Sequence, residues 1–391
     1  MLPKLWKDSL SGSLWTASQR VRPTYKEVRT SVAKRVAENP IITPEMVKPS
    51  EPNLEVIGAF NPGATRYGDE IILLLRVAER PILDDPELVG VPVLNLNGSS
   101  SERLEILTFP RHSPLTDLSD PRAVTYEGRV YLSSISHLRL ARSRDGVHFT
   151  VDEQPTLFPE TKYEEYGIED CRITQIEGVF YISYTAVSRY GICVGIARTE
   201  DFKSFTRLGL ILHHENKNVT LFPRKVNGLY AAMHRTAASA FNGPNMWIAY
   251  SPDLLHWGDH QFLMAPRIHH WDSRRIGAGA PPVETPEGWL IVYHGVNAKD
   301  GYCAGVALLD LDEPHKVLSR SHEPLIAPSE DYEVSGFFER VVFPTGLVPM
   351  DDGRWMVYYG VADRSVAVAE TTMDELLAVA KGEPALMGAG R

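Results

Sequence analysis

The chain has 391 residues, of which 43% are hydrophobic and 23% are charged, a balance typical of an ordinary globular protein with ample length for a buried core. Its formal net charge of −10 argues against nucleic acid as a partner. No apolar run approaches the roughly 18 residues of a membrane span, and the N-terminus lacks a signal-peptide core. The three widely spaced cysteines form neither a disulfide framework nor a metal site. We therefore expect a cytoplasmic protein with no membrane contact and no bound metal.

The first predicted element lies in residues 1–54, which we interpret as an N-terminal extension with a helix. From Tyr25 to Val36 the residues Val28, Val32 and Val36 recur at helical spacing, which predicts an amphipathic helix. Its apolar face is thin, so packing on the rest of the protein or on a second subunit is favoured over a membrane surface. The helix is therefore a candidate contact element for a homo-oligomer.

Residues 55–372 carry a repeated hairpin signal, in which a glycine precedes a run of aromatic and β-branched residues. The six glycines are Gly68, Gly128, Gly178, Gly228, Gly288 and Gly353. Such runs after Glu-Gly, Asn-Gly or Asp-Gly indicate β-hairpins. Several short strands in each repeat, with no helix-period stretch between them, predict an all-β fold of radial antiparallel blades, a β-propeller. Six signals fit six blades, or five blades of which one carries an extra hairpin.

A seven-residue pattern recurs in the same region, with a hydroxyl residue, Asp two places later and an aromatic four places beyond. The three copies are Ser143–Phe149, Thr199–Phe205 and Ser251–Trp257. Hydroxyl and Asp side chains at these spacings bond the local backbone in a tight turn, and the aromatic fills the gap between neighbouring sheets. A spacing of roughly 50 residues indicates one supersecondary unit used repeatedly. Asp145, Asp201 and Asp253 are therefore interpreted as structural turn residues.

The last predicted element is a closing helix from Met373 to Ala380, within a C-terminal segment spanning residues 373–391. The ligand of a propeller binds at the central channel, where the innermost strand of each blade contributes residues. Four basic side chains fall at equivalent places beside the glycine turns: Lys217, Arg235, Arg275 and His294.

Cations gathered in one cleft require an anion, because unpaired like charges are costly to bring together. Arginine offers planar paired donors that suit phosphate. Asp170 and Asp363 are expected on the other side of the channel. One acid facing one anion site is the equipment for splitting a glycosidic bond with phosphate, since the acid protonates the leaving oxygen and phosphate needs no second carboxylate as base.

Structural interpretations compete with this one. Asp170 and Arg172 have the spacing of a structural ion pair, and His234 and His294 are also compatible with hydrogen-bonded core histidines. The Gly277–Pro282 segment is glycine-rich but lacks the spacing of a phosphate loop, so close backbone packing explains it better. The clustering of polar residues at equivalent positions, rather than any one residue, favours a functional site.

Longer motifs give a family resemblance over roughly residues 55–372. They are Asn61–Ala64, Arg76–Glu79, Ile168–Arg172, Lys217–Pro223, His234–Arg235, Trp271–Pro282, Gly288–Gly295 and Phe343–Gly346. With these motifs the chain resembles glycoside hydrolase family 130, the inverting β-mannoside phosphorylases and their relatives. The resemblance implies a five-bladed β-propeller, in which the hairpin at Gly128 is an elaboration.

The resemblance also implies residue roles. Asp170 matches the general acid, which in this family acts through a hydroxyl of the mannose. Lys217, Arg235, Arg275 and His294 match phosphate-binding positions, and Asn61, Arg76 and Asp363 match positions that hold the non-reducing-end mannose. The expected reaction takes a β-mannoside oligosaccharide and inorganic phosphate, without a cofactor, to α-mannose 1-phosphate and a shortened acceptor. The linkage, β-1,2 or β-1,4, stays open.

Three positions depart from the family pattern. Lys217 stands where many phosphorylases have Arg, Cys171 follows the acid where Pro is usual, and Glu339-Arg340 occupies a place where Asn is common. Glu339 is the best candidate for the base of the alternative enzyme, an inverting β-mannosidase that uses water. A mannoside-binding propeller without catalysis is the third hypothesis.

Overall fold

The protein is all-β, as predicted, in the computed structural model, which describes residues 32–98, 103–237, 244–299 and 301–383. Helical structure in these ranges is short: two 3-10 turns and the helices α1 and α2. Their bounds are Pro44–Met46, Lys162–Glu164, Asp331–Val334 (α1) and Met373–Lys381 (α2). No helix among these residues is long and apolar enough to cross a membrane.

Most strands of the described ranges group into five antiparallel units of four strands. Unit one contains β2 (Leu54–Tyr67), β3 (Glu70–Pro81), β9 (Ile135–Ser143) and β10 (Thr150–Val151). Unit two contains β11 (Gly167–Ile176), β12 (Val179–Ser188), β13 (Gly191–Thr199) and β14 (Thr206–Leu212). Unit three contains β15 (Asn216–Leu221), β16 (Tyr230–Thr236), β17 (Met246–Ser251) and β18 (Gly258–Met264).

The last two units follow the same plan. Unit four contains β19 (Arg275–Ala278), β21 (Gly288–Asn297), β22 (Gly301–Leu309) and β23 (Val317–Arg320), with the short β20 (Val283–Thr285) also paired to β21. Unit five contains β24 (Val342–Pro349), β25 (Arg354–Val361), β26 (Ser365–Thr372) and β1 (Lys34–Arg35). Chain order and neighbour order coincide in each unit, apart from β1, which comes from the other end of the chain.

An insertion between β3 and β9 of unit one carries two small sheets. They contain β4 (Leu88–Leu94) with β5 (Leu104–Pro110), and β6 (Thr116–Asp117), β7 (Ala123–Tyr126) and β8 (Arg129–Leu132). The predicted hairpin at Gly128 is the β7–β8 turn, so it elaborates unit one and is not a unit of its own. The other five predicted glycine turns lie at the starts of the second strands of the five units, β3, β12, β16, β21 and β25.

The repeated Asp turns are confirmed. The Asp145 carboxylate accepts hydrogen bonds from the amides of Val147 and His148, both at 2.9 Å, and Asp201 and Asp253 accept equivalent bonds. Each turn joins the third strand of a unit to the fourth. Unit four has a fourth such turn at Asp310, which the sequence pattern missed because its flanking residues differ.

The hydrophobic core is divided among the junctions between consecutive units. Five large clusters of buried residues each draw on two units, and the last cluster joins unit five to unit one. Representative members, one from each unit of a junction, are Leu74 and Ile173, Ile196 and Leu221, Ile248 and Ile291, Val306 and Val357, and Met356 and Leu73. The first strands β2, β11, β15 and β19 contact one another in this order, and β24 contacts β21 of unit four and β2 of unit one.

The N-terminal segment corrects one prediction. Most of the helix predicted from Tyr25 to Val36 lies outside the described residues, but its described end, from residue 32, is not helical. Lys34 pairs with Glu370 of β26 as part of β1. The backbone N–H and C=O groups at the edge of β26 would be unpaired without another strand. Their hydrogen bonds and the burial of Ala33 stabilise a strand here more than the thin apolar face would stabilise a helix.

The C-terminal helix α2 is observed where Met373 to Ala380 was predicted. Its Thr372 side chain accepts from the Glu375 amide, and the Glu375 carboxylate accepts from the Thr372 amide, so a capping box fixes the start. Leu376 and Val379 are buried in the cluster between units four and five. The helix therefore covers the junction beside the strand β1.

Candidate active site

Asp170 lies at an irregularity of β11, where the register with β12 shifts between Glu169 and Arg172. Its φ of 47° is in the left-handed region, so the local backbone redirects the side chain out of the regular pleat. The carboxylate accepts from Asn61 Nδ2 at 2.9 Å and from Arg76 Nη1 at 3.1 Å. The Asp170 side chain is only 13% exposed. Three residues predicted for the site are thus in direct contact.

Asn61 and Arg76 come from the paired strands of unit one. Asn61 lies at a comparable bulge of β2, with φ at 45°. Arg76 also donates to Glu169 Oε1 at 2.8 Å and to Ser136 Oγ at 3.1 Å, and it stacks over the ring of Phe60. Its guanidinium is therefore held in one orientation by both neighbouring units.

Asp363 lies in the turn between β25 and β26, also at positive φ. Burial raises its pKa to about 6, although Arg76 is close enough to oppose the shift. Burial acts in the same direction on Asp170, but there Arg76, the Asn61 hydrogen bond and other cations outweigh it, so the pKa of Asp170 is held below its usual value. Two carboxylates close to one arginine therefore differ in their affinity for a proton.

Three of the predicted cations converge opposite Asp170. Lys217 on β15 is directly paired with Arg235 on β16, and Arg275 begins β19 of the next unit. Burial and the proximity of Arg235 lower the pKa of Lys217 to about 8; burial and Arg275 lower the pKa of Arg235 to about 10. The nearby carboxylates of Glu169 and Asp170 pair with Arg76, so within the described ranges these cations have no ion-pair partner.

His294 is fully buried beside this cation set on β21. Burial and the neighbouring guanidinium groups keep its pKa well below the usual value, so the imidazole is neutral at pH 7. Neither ring nitrogen has a hydrogen-bond partner among the described residues. A buried imidazole without partners costs free energy unless a ligand supplies them. The opposite backbone must be glycine, because a Cβ at Gly277 would lie 2.6 Å from Nε2.

The competing structural interpretations have separate outcomes. Arg172 does not pair with the carboxylate of Asp170: it donates to the backbone oxygens of Asp170, Ala278 and Gly279, at 2.6, 3.1 and 2.6 Å. It therefore joins unit two to unit four. His234 contacts Asn216 and His260 and has both ring nitrogens satisfied. Of the two, His294 is therefore the histidine whose ring nitrogens lack hydrogen-bond partners among the described residues.

Several residues of this site were not singled out from the sequence. The Tyr302 hydroxyl accepts from Arg275 Nη1 at 2.7 Å, and Asn218, with its amide oxygen toward Arg235, accepts from that guanidinium at 3.0 and 3.2 Å. Asn61, Asp170 and Asn218 share positive φ at bulges of the first strands. An Asn or Asp within each of these three motifs was the available signal, since these residues tolerate that conformation.

Glu339 lies on the exposed segment between α1 and β24, and its own side chain is exposed. The backbone on either side of it is fixed: the Phe338 amide donates to the Ala362 oxygen at 3.0 Å, and the Tyr302 amide donates to the Arg340 oxygen at 2.9 Å. This segment therefore borders the site beside Asp363. Among the described residues, no group of three His, Cys, Asp or Glu side chains is arranged to hold a metal ion.

Comparison with known proteins gives a consistent picture. A family model described as beta-1,4-mannooligosaccharide phosphorylase (Glyco_hydro_130) matches residues 120–382. A beta-1,2-mannobiose phosphorylase from Listeria innocua is 45% identical over 347 residues, which cover 88% of this chain and 97% of that protein. A 1,2-beta-oligomannan phosphorylase from Thermoanaerobacter is 38% identical over 251 residues, 63% of this chain and 82% of that protein.

The fold comparison agrees with the sequence comparison. The solved structure of the beta-1,2-mannobiose phosphorylase from Listeria innocua, in complex with beta-1,2-mannobiose, superimposes with a TM-score of 0.84 at 43% identity. The match covers 89% of this chain and 99% of that one.

Proposed function

The chain belongs to glycoside hydrolase family 130, and from that membership and the geometry of the site we propose that it catalyses phosphorolysis of β-mannosides. The protein is an enzyme of the phosphorylase type, with a β-mannosyl oligosaccharide and inorganic phosphate as substrates and α-mannose 1-phosphate and a shortened acceptor as products. It needs no cofactor beyond the phosphate co-substrate.

One observation carries the choice of phosphate over water. Among the residues that the structure describes, Lys217, Arg235 and Arg275 come together without an ion-paired carboxylate, next to a neutral imidazole that lacks hydrogen bonds. Charges so arranged are costly in an empty site, and a phosphate dianion would both neutralise them and supply acceptors for every donor. A water nucleophile would need none of these cations and would need a carboxylate base in their place.

We assign Asp170 as the general acid. It is ionised while the site is empty, because Arg76 and Asn61 stabilise the carboxylate. Phosphate bound at Lys217 would place negative charge near Asp170 and raise its proton affinity. The acid form is then populated when both substrates are bound, which couples proton transfer to the presence of the nucleophile.

The bond changes follow from this placement. A phosphate oxygen attacks the anomeric carbon of the mannose while the bond from that carbon to the bridging oxygen breaks. The Asp170 proton reaches the bridging oxygen through a hydroxyl of the mannose, as the family resemblance implies. Attack from the face opposite the leaving group inverts the anomeric centre. Asn61, Arg76 and Asp363 are assigned to the non-reducing-end mannose.

The finer description of the fold is a five-bladed β-propeller, with the site where the first strands meet. Its support is the cyclic order of the five shared cores, together with the contacts along β2, β11, β15 and β19 and those of β24 with β21 and β2. We assign β-1,2 as the preferred linkage, since a relative that is 45% identical over 88% of this chain is described as a beta-1,2-mannobiose phosphorylase. A cytoplasmic location is proposed from the three free cysteines.

The test is incubation of the purified protein with β-1,2-mannobiose and with β-1,4-mannobiose, each with and without phosphate. Mannose 1-phosphate formed only with phosphate, and faster from the β-1,2 substrate, is the expected result. Free mannose released at the same rate without phosphate would contradict the proposal and assign a hydrolase. Binding of mannobiose without turnover would support the carbohydrate-binding alternative.

A further inference from the structure

The insertion of unit one reaches the site through Arg122, which lies just before β7. Asp120 holds this arginine: its carboxylate accepts from Arg122 Nη2 at 2.7 Å, from Nε at 3.0 Å and from the Arg122 amide at 2.9 Å. The Asp120-Pro121 backbone is fixed in turn by Ser133, whose hydroxyl donates to the Pro121 oxygen at 2.8 Å. The guanidinium is thus pre-oriented although it is 42% exposed.

Arg122 also stacks on Phe338, with 4.9 Å between the guanidinium carbon and the ring centroid. The amide of Phe338 is bonded to Ala362, the residue before Asp363. The contact therefore links the insertion of unit one to the segment that borders the site in unit five. Electrostatics agree with this placement, because Arg122 lowers the pKa of Asp363 while burial raises it.

An exposed arginine fork beside an aromatic ring is suited to one class of ligand. A pyranose offers vicinal hydroxyls to a planar pair of donors and an apolar face to an aromatic ring. Arg122 does not act as a further phosphate-binding cation beside Lys217, Arg235 and Arg275, because Asp120 already neutralises its charge. It is suited to a neutral polar group at the mouth of the site.

An open cleft large enough for carbohydrate borders the turn that carries Arg122; it is lined by the neighbouring residues and not by Arg122 or Phe338 themselves. Its volume is about 520 Å³, and its lining includes Asp120, Pro121 and Phe337 together with Ile82 and Arg111. Ile82 is 55% exposed and Phe337 is 37% exposed, so the wall combines apolar and charged groups. Such mixed surfaces suit sugars, which have both apolar faces and hydroxyls.

We propose that Arg122, oriented by Asp120 and stacked on Phe338, binds the acceptor sugar on the reducing-end side of the scissile bond, and that the adjoining cleft receives further sugar units. This inference rests on the proposed phosphorylase function. Asn61, Arg76 and Asp363 hold the other sugar, so the mouth above Asp363 is where the acceptor enters and leaves. Acceptor choice then depends on the insertion and the segment 335–340.

The chain provides a matched control. Asp352-Gly353-Arg354 repeats the Asp-x-Arg arrangement: the Arg354 amide donates to Asp352 Oδ1 at 3.1 Å and Nε donates to Oδ2 at 2.8 Å. Arg354 is 43% exposed, like Arg122, but it begins β25, at the opposite end of that strand from Asp363, and it also donates to Glu370. Arg354→Ala therefore removes the same side chain from the same local structure away from the mouth.

The experiment uses the synthetic direction, with α-mannose 1-phosphate as donor and mannose or β-1,2-mannobiose as acceptor, and measures phosphate release. For Arg122→Ala we expect the KM of the acceptor to rise about tenfold or more, since a hydrogen-bonding charged group is lost. The KM of mannose 1-phosphate stays within about twofold of the unsubstituted enzyme. Phe338→Leu raises the acceptor KM by a smaller factor, and Arg122→Lys restores part of the loss.

Equal acceptor KM values for Arg122→Ala and Arg354→Ala would overturn the inference while leaving the phosphorylase function intact. A parallel rise in the KM of both substrates would also overturn it, because that result assigns Arg122 a structural role. If the unsubstituted protein forms no mannoside from mannose 1-phosphate and no mannose 1-phosphate from mannosides, the proposed function itself fails and the inference with it.

Discussion

At the scale of single residues, the site separates two carboxylates by their surroundings. Asp170 is stabilised as an anion by Arg76 and Asn61, whereas burial favours the protonated form of Asp363. Pairs of acids whose pKa values are pushed apart mark distinct roles in catalysis. Under the proposed mechanism, Asp170 is the acid that donates a proton, and bound phosphate would raise its proton affinity.

The first prediction concerns Asp170→Asn. The amide keeps the shape of the side chain but has no proton to transfer, so kcat for phosphorolysis should fall by about 10²–10⁴-fold. Phosphate binding, which depends on the cations, should persist, and phosphate should still raise the melting temperature of the variant. A kcat within tenfold of the unsubstituted enzyme would remove Asp170 from the role of acid.

The second prediction concerns the pH dependence of phosphate binding. Lys217 has a pKa near 8 in the empty site, so it loses its positive charge as the pH rises through 8. The KM of phosphate should therefore increase above pH 8 in the natural enzyme. Lys217→Arg keeps its charge, and its phosphate KM should stay level over the same range. Identical pH profiles for the two enzymes would exclude Lys217 from the phosphate site.

The site residues that could be predicted from the sequence lie in local motifs, whereas those that could not depend on contacts between strands. Lys217, Arg235, Arg275 and His294 stand in conspicuous polar motifs, and the structure brings all four together. Tyr302 was missed because one aromatic in an alternating strand has the pattern of a core residue, and its hydroxyl contact depends on the pairing of two strands. Such long-range contacts have no local signature.

At the scale of elements, the two-residue strand β1 is fixed to the rest of the protein by a buried ion pair. Arg35 donates to Glu333 from Nε at 2.7 Å and from Nη2 at 2.8 Å, and Glu333 is fully buried. Tyr359 donates to the same carboxylate at 3.0 Å. The pair therefore fixes β1 to both α1 and unit five, and it could not be predicted because its residues are 298 positions apart.

The third prediction compares two ion pairs. Glu333→Ala leaves Arg35 and Tyr359 without their acceptor in a buried site, so the free energy of unfolding should fall by about 3–5 kcal/mol. Glu313→Ala removes an exposed pair with Lys316 and should change stability by less than about 1 kcal/mol. Denaturant unfolding of both variants measures the difference. Equal losses in the free energy of unfolding would contradict the role of Glu333 in fixing β1 to α1 and unit five.

At the scale of the whole molecule, units three and four bring together buried positive charges, and their burial is unfavourable in the absence of an anion. Arg235 is 3% exposed, and burial together with Arg275 lowers its pKa to about 10. The position thus opposes the folded state until an anion binds. Function and stability compete here, as is common in active sites. The hairpin repeats predicted the units that create this arrangement, but not its energetic cost.

The fourth prediction follows from that competition. Arg235→Met replaces a buried charge by an apolar chain of similar length, so the protein without phosphate should be more stable, by on the order of 1–4 kcal/mol. Phosphate should raise the melting temperature of the natural enzyme and should leave that of the variant unchanged. Calorimetry with and without phosphate tests both statements, and a less stable variant would show that Arg235 mainly supports the fold.

The pairing of Lys34 with Glu370 also has a consequence during translation. At roughly 5–20 residues per second, β1 leaves the ribosome on the order of half a minute before β26 exists to pair with it. The nascent chain thus carries an unpaired edge for most of its synthesis. A message cut short before the codons for Ser365–Thr372 would yield a chain that holds all the proposed site residues but has no partner for its first strand.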